Sequence, residues 1–184
     1  TAFQIIGKAV NLLDGAYICA GDIGTTTQDL YKVNDGTHYV AGIKLDSSLP
    51  TALGVYTSIE TLLHRNKQQI DCTSFTLQGM GKVGFKLANM LIETGGTVSA
   101  YDPYTDVFEF YDNSPLQIEQ ISKHEVVTND TDVFVPCALG AVLDFKSLNT
   151  MTMRYVCGSA NNQFATNEDV GTAHNLGYQY VPDF

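Results

Sequence analysis

The stretch SFTLQGMGKVGFKLANMLIETGGTVSAYD, residues 74–102, decides how the rest of the chain is read. A strand-like run ends at Gln78, and Gly79, Gly81 and Gly84 follow it. Val83, Leu87, Met90 and Leu91 then fall on one helical face, which predicts a helix from about Gly81 to Thr94 that Gly95 and Gly96 stop. TVSAYD predicts a second strand ending on Asp102. In such a strand–turn–helix each glycine has its own task. Gly79 permits the tight turn out of the strand. Gly81, lacking a side chain, lets a pyrophosphate approach the backbone, and Gly84 lets the helix lie close to the strand. The helix N-terminus then offers unpaired N–H groups and partial positive charge to the phosphates. An acid some twenty residues on completes the dinucleotide pattern. Asp102 fills that place, where its carboxylate accepts from ribose hydroxyls and repels a 2′-phosphate, so NAD is expected over NADP.

Outward from this unit, short apolar runs alternate with helical patterns. Phe3, Ile6, Val10 and Leu13 predict a first helix over residues 2–13. AYICA reads as a short buried strand, and Thr25-x-x-Gln28 or Thr26-x-x-Asp29 can cap a second helix. KLDSSLP is linker-like, placing a boundary between residues 1–45 and 46–184. Thr51 to Arg65 predicts a helix with Ala52, Val55, Ile59, Leu62 and Leu63 as its apolar stripe. Beyond Asp102, Ile118 and Ile121 hint at a short helix, and HEVV, DVFVPCA and RYVCGSA read as short strands. NEDVGTAHNLG reads as a helix and YQYVPDF as a last strand. The expected fold is α/β: a Rossmann-like, doubly wound, mostly parallel sheet with helices on both faces.

Twenty acidic residues against ten basic give a net charge of −10, which argues against nucleic acid or an anionic membrane as partner. Cys19, Cys72, Cys137 and Cys157 are scattered without a C-x-x-C, so they are expected to be reduced thiols in a cytoplasmic protein. They and the four histidines show no ligand spacing, so no metal is expected.

GDIGTT, PTALGVY, LQGMGKVG, VPCALGAVLD and CGSANNQ occur in that order, with YVPDF at the end. Together they resemble the second half of the leucine/phenylalanine/valine dehydrogenases, within the glutamate dehydrogenase superfamily, and most resemble leucine dehydrogenase. The resemblance implies oxidative deamination of an L-amino acid to its 2-oxo acid and ammonia, with hydride passed to NAD, in a homo-oligomer. A branched-chain amino acid is the expected substrate. It also implies that residues 1–45 end the substrate domain and hinge, while residues 46–184 form the NAD-binding domain short of its last helices.

Residue by residue, Asp22 matches the acid that moves protons at the substrate amine, although Gly21 stands where the family carries Glu. Thr51 matches the residue that hydrogen-bonds the nicotinamide amide. Gly79, Met80, Gly81, Lys82, Val83 and Gly84 match the phosphate loop. Cys137 and Ala138 lie along the cofactor, and Asn162 contacts the nicotinamide ribose and substrate. The family's catalytic lysines sit in a G-G-G-K-type segment absent from these residues, so the chain alone is expected to bind NAD and turn over little amino acid. A dinucleotide-binding module without catalysis is the alternative reading.

Overall fold

The computed structural model describes residues 1–22, 24–43, 46–109 and 117–182. They form two compact units, Thr1–Ser47 and Ser48–Phe184. Residues 44 and 45 of the expected linker, and the last two residues of the expected final strand, lie outside the described residues.

In the first unit, α1 (Ala2–Asn11) crosses α2 (Thr27–Asn34) at close range. A Cβ on Gly7 would stand 2.2 Å from the Val33 carbonyl oxygen, so only glycine admits this approach. That contact sets which face is buried. Gly7 and Val10 face inward, while Ile6 is 45 % exposed and Leu13, beyond the helix end, 51 % exposed. The stripe expected from periodicity is therefore rotated, because a close backbone crossing outweighed side-chain hydrophobicity. AYICA forms no strand: only an isolated parallel bridge joins Cys19 to Val40, over a small core of Val10, Cys19 and Val33.

Of the two possible caps for α2, Thr26 and Asp29 form the capping box. The Thr26 hydroxyl on its carboxylate, with Lys32 at 2.9 Å, holds the Asp29 pKa down from 3.8 to about 2. A depressed carboxyl binds fewer protons folded than unfolded. Its stabilising contribution is thus complete above the unfolded pKa of about 4 and fades as the pH falls toward 2. Asp29→Asn is expected to lower the unit's thermal midpoint at pH 6 and to flatten its pH dependence between pH 4 and 2. Identical acid profiles for the two proteins, followed by circular dichroism, would rule this out.

The second unit opens with α3 (Ser48–Arg65), three residues earlier than expected, with Pro50 tolerated in its first turn where no intrahelical N–H is needed. Ala52, Ile59 and Leu63 are fully buried on its inner face. The strands are β1 (Ser74–Gln78), β2 (Thr97–Tyr101), β3 (Ile118–Gln120), β4 (Val133–Pro136), β5 (Tyr155–Val156) and β6 (Gln179–Tyr180). Every pairing is parallel and the order is β3-β2-β1-β4-β5-β6, the order of a doubly wound dinucleotide-binding sheet. Helix α4 (Lys82–Glu93) makes the β1–β2 crossover and packs with α3 against Phe75, Leu77, Val98 and Val135. The opposite face carries Phe134 and Val156 against Leu148 of α5 (Phe145–Thr150) and Ala173 of α6 (Asn167–Asn175). Covered on both faces, the strands are apolar throughout their centres, which is why they read as continuous runs.

Two local expectations are corrected and one helix is added. Ile118 belongs to a strand rather than a helix, because pairing with Val98 at the sheet edge decides a segment too short for periodicity to decide. HEVV is a turn, since the Glu125 carboxylate accepts from the Ser122 N–H at 2.7 Å and folds the chain back over Val126. Helix α5 went unread, although Asp144 and Ser147 form a capping box at its start. Among the described residues no helix is long and apolar enough to cross a membrane.

Candidate functional site

The order of the strands reverses between β1 and β4, and the loops leaving their carboxyl ends border a crevice of the kind in which α/β sheets take ligands. The glycine loop forms its floor. Gly79 has φ +98°, a left-handed conformation, and a Cβ there would stand 2.8 Å from the Ala138 Cβ. Gly84 lies so close beneath it that a Cβ would stand 1.9 Å from the Gly79 carbonyl oxygen. Gly81 is the reverse: a Cβ there would meet nothing within 4 Å. It is exposed and is the N-cap of α4, which no side chain caps. The first-turn amides of Lys82, Val83 and Gly84 therefore have no intrahelical acceptor. Two glycines are dictated by crowding and the third borders open space.

Asp102, half-buried at the end of β2, does something sequence reasoning missed. Its Oδ2 accepts from the Met80 N–H at 2.7 Å and its Oδ1 from the Tyr104 N–H at 2.9 Å. The carboxylate ties the glycine loop to the β2 terminus while keeping capacity, since a carboxylate has about four acceptor positions. Nothing local in the sequence signals this bond, because it spans 22 residues and depends on β1 and β2 being neighbours.

The loops after β4 and β5 form the other wall. The Cys137 N–H donates to Gln78 O at 2.8 Å, which sets Cys137 and Ala138 directly beside Gly79. The loop after β5 is laced to them: the Ala160 N–H donates to Pro136 O at 2.9 Å and the Ala141 N–H to Asn162 O at 2.7 Å. Asn162 sits there with φ +50°. Burial pushes the Cys137 thiol above its ordinary pKa, and burial followed by the proximity of Cys137 pushes the Cys157 thiol up to about 12. Both stay protonated at neutral pH and serve as packing groups rather than nucleophiles. With Ellman's reagent at pH 8, exposed Cys72 is expected to react roughly tenfold or more faster than Cys157. Equal rates would contradict the burial of that sulfur.

Thr51 is exposed in the first turn of α3, one residue before Ala52, which shares a core with Met80 and Cys157. Asp22 belongs to the first unit, in an exposed turn where its N–H donates to Thr25 Oγ1 at 2.8 Å. The structure thus places Gly79, Met80, Gly81, Lys82, Val83, Gly84, Asp102, Cys137, Ala138 and Asn162 beyond the carboxyl ends of β1, β2, β4 and β5.

No protein-family model matches the chain. Phenylalanine dehydrogenase of Bacillus thermotolerans is 29 % identical over 194 residues, covering 99 % of this chain and 51 % of that protein. Leucine dehydrogenase of Bacillus subtilis (strain 168) is 27 % identical over 193 residues, with 99 % and 52 % covered. The crystal structure of L-tryptophan dehydrogenase from Nostoc punctiforme superposes with a TM-score of 0.78 at 26 % identity, covering 98 % of this chain and 53 % of that one. The chain spans about half the length of the curated relatives it matches. The likeness carried by the motifs therefore extends along nearly the whole chain, which is similar to the nucleotide-binding half of the phenylalanine and leucine dehydrogenases.

Proposed function

We propose that this chain is the dinucleotide-binding part of an NAD-dependent dehydrogenase that oxidatively deaminates an apolar, branched-chain L-amino acid to its 2-oxo acid and ammonia. The observation that carries the reading is the division of labour among the three glycines. Gly79 and Gly84 are fixed by contact with Ala138 and with each other's backbone, whereas Gly81 borders open space at an uncapped helix N-terminus. That space suits a diphosphate held by backbone N–H groups.

When bound, the cofactor would supply the acceptor for the substrate's hydride. The chain's own residues hold and orient. The amides at the start of α4 take the phosphates. Asp102, already fixed by two backbone donors, offers its remaining lone pairs to the adenosine ribose and disfavours a phosphate on it. Cys137, Ala138 and Asn162 line the path toward the nicotinamide, and Thr51 holds its amide. Asp22 is the proton-transfer acid, standing in the segment GDIGTT, whose resemblance carries that role. With the lysines of a substrate-clamping segment outside these residues, the chain alone binds cofactor and turns over little amino acid.

Isothermal titration with NAD and NADP tests the cofactor assignment. NAD is expected to bind about tenfold or more tighter, the size of one unfavourable charge contact at a ribose site. Asp102→Asn is expected to remove most of that preference while weakening NAD itself, because the neutral amide no longer repels the 2′-phosphate. Tighter binding of NADP to the native chain would overturn the role given to Asp102. Robust NADH formation from leucine by this chain alone would overturn the placing of the lysines.

A further inference from the structure

We infer that Gln163 is a positioning residue for the nicotinamide end of the crevice: its side chain straps the loop Gly158–Asn162 into the shape that receives that half of the cofactor. The inference rests on the dinucleotide-binding reading above and adds to it a residue that touches no ligand itself.

Gln163 is 0 % exposed, an amide among the largest fully buried side chains, whose other members are Phe, Ile, Leu, Met and Val. Its Nε2 donates to Gly158 O at 3.0 Å, five residues back, and so closes the loop on itself. Its Oε1 has no partner among the described residues. A half-satisfied amide in such a place costs stability, since a methionine would fill similar volume without burying an unpaired oxygen. What the amide gives in return is the shape of the loop. From the β4 side the loop is already tightly seated. A Cβ on Gly140 would stand 2.2 Å from Asn161 O and 2.6 Å from Asn162 O, and one on Gly158 would stand 2.2 Å from Pro136 O. The bond from Gln163 supplies the hold from inside the loop, and Asn162, the next residue, is held at φ +50° beside it. The glycine loop and Asp102 lie at the ends of β1 and β2, and the bond from Met80 to Asp102 shares no residue with the bond from Gln163 to Gly158.

Separation of the two ends gives the test. NAD spans the crevice, while ADP lacks the nicotinamide riboside and occupies only the β1–β2 end. In Gln163→Met, calorimetric titration is expected to show NAD affinity roughly tenfold lower, the scale of one lost buried hydrogen bond, with ADP affinity unchanged. A loss shared equally by NAD and ADP, or no loss for either, overturns the inference. Should that variant fail to fold, the native chain supplies a second measurement. The Gln163 Nε2H2 proton resonances are expected to shift on adding NAD and to stay in place on adding ADP, and resonances unmoved by NAD overturn the inference. A native chain that binds neither NAD nor ADP overturns the functional reading itself, and the inference with it.

Discussion

Gly84→Ala is expected to destabilise the second unit by about 3 kcal/mol or more, the upper range for overpacking a rigid site. The added carbon would stand 1.9 Å from the Gly79 carbonyl oxygen and 3.0 Å from its carbonyl carbon, both backbone atoms that cannot rotate away. Helix α4 would have to lift from β1. Gly79 is itself pinned, by φ +98°, by the Tyr101 carbonyl accepting its N–H at 2.7 Å and by Ala138 on its far side. Nor can the helix slide, because Leu87, Ala88 and Leu91 are 0 % exposed in the core behind it. The unfolding midpoint is expected to fall by about 10 °C, and cofactor affinity with it, because the amides of the first turn move with the helix. Calorimetric unfolding of the variant checks this. A midpoint within a degree or two of the native value would show that strand and helix are farther apart than described.

Gly81→Ala makes the complementary case, with the largest expected effect on binding. Here φ is −70°, open to any residue, and the added carbon meets nothing within 4 Å. Stability is expected to change by about 1 kcal/mol or less, the difference between glycine and alanine at an N-cap. The methyl occupies the space into which a pyrophosphate would be drawn. NAD affinity is therefore expected to fall about a hundredfold, as one or two charge-assisted hydrogen bonds are lengthened or lost. The pair of variants separates two uses of glycine in one loop. One substitution damages the fold and binding together, the other binding alone. Native affinity in Gly81→Ala would mean that the diphosphate is held elsewhere.

Residues 74–102 were legible because each of their signals is local. A glycine that must turn, a glycine that must admit a ligand and a helix with one apolar face are all written within a few residues of where they act. The same holds for one of the two expected caps of α2, at Thr26, and for α3, of whose expected stripe Ala52, Ile59 and Leu63 are buried and Val55 and Leu62 half-buried. Legibility failed where partners distant in sequence decided the outcome. Ile118 pairs with Val98 at a sheet edge. Helix α1 turned its buried face toward Gly7 because the carbonyl of Val33 lies against it.

By itself, then, the sequence determined the alternation of strand and helix, the parallel sheet, the position of the glycine loop and the acid that ends the second strand. These rest on propensity, periodicity and spacing, which act over one or two turns of chain. Only the tertiary structure decided that Asp102 fastens the loop it follows, that the loops after β4 and β5 are stitched into one wall, and that Gln163 closes that wall from within. Each of those is a hydrogen bond to a backbone group, and a backbone group looks the same in every residue until the fold puts one of them within reach.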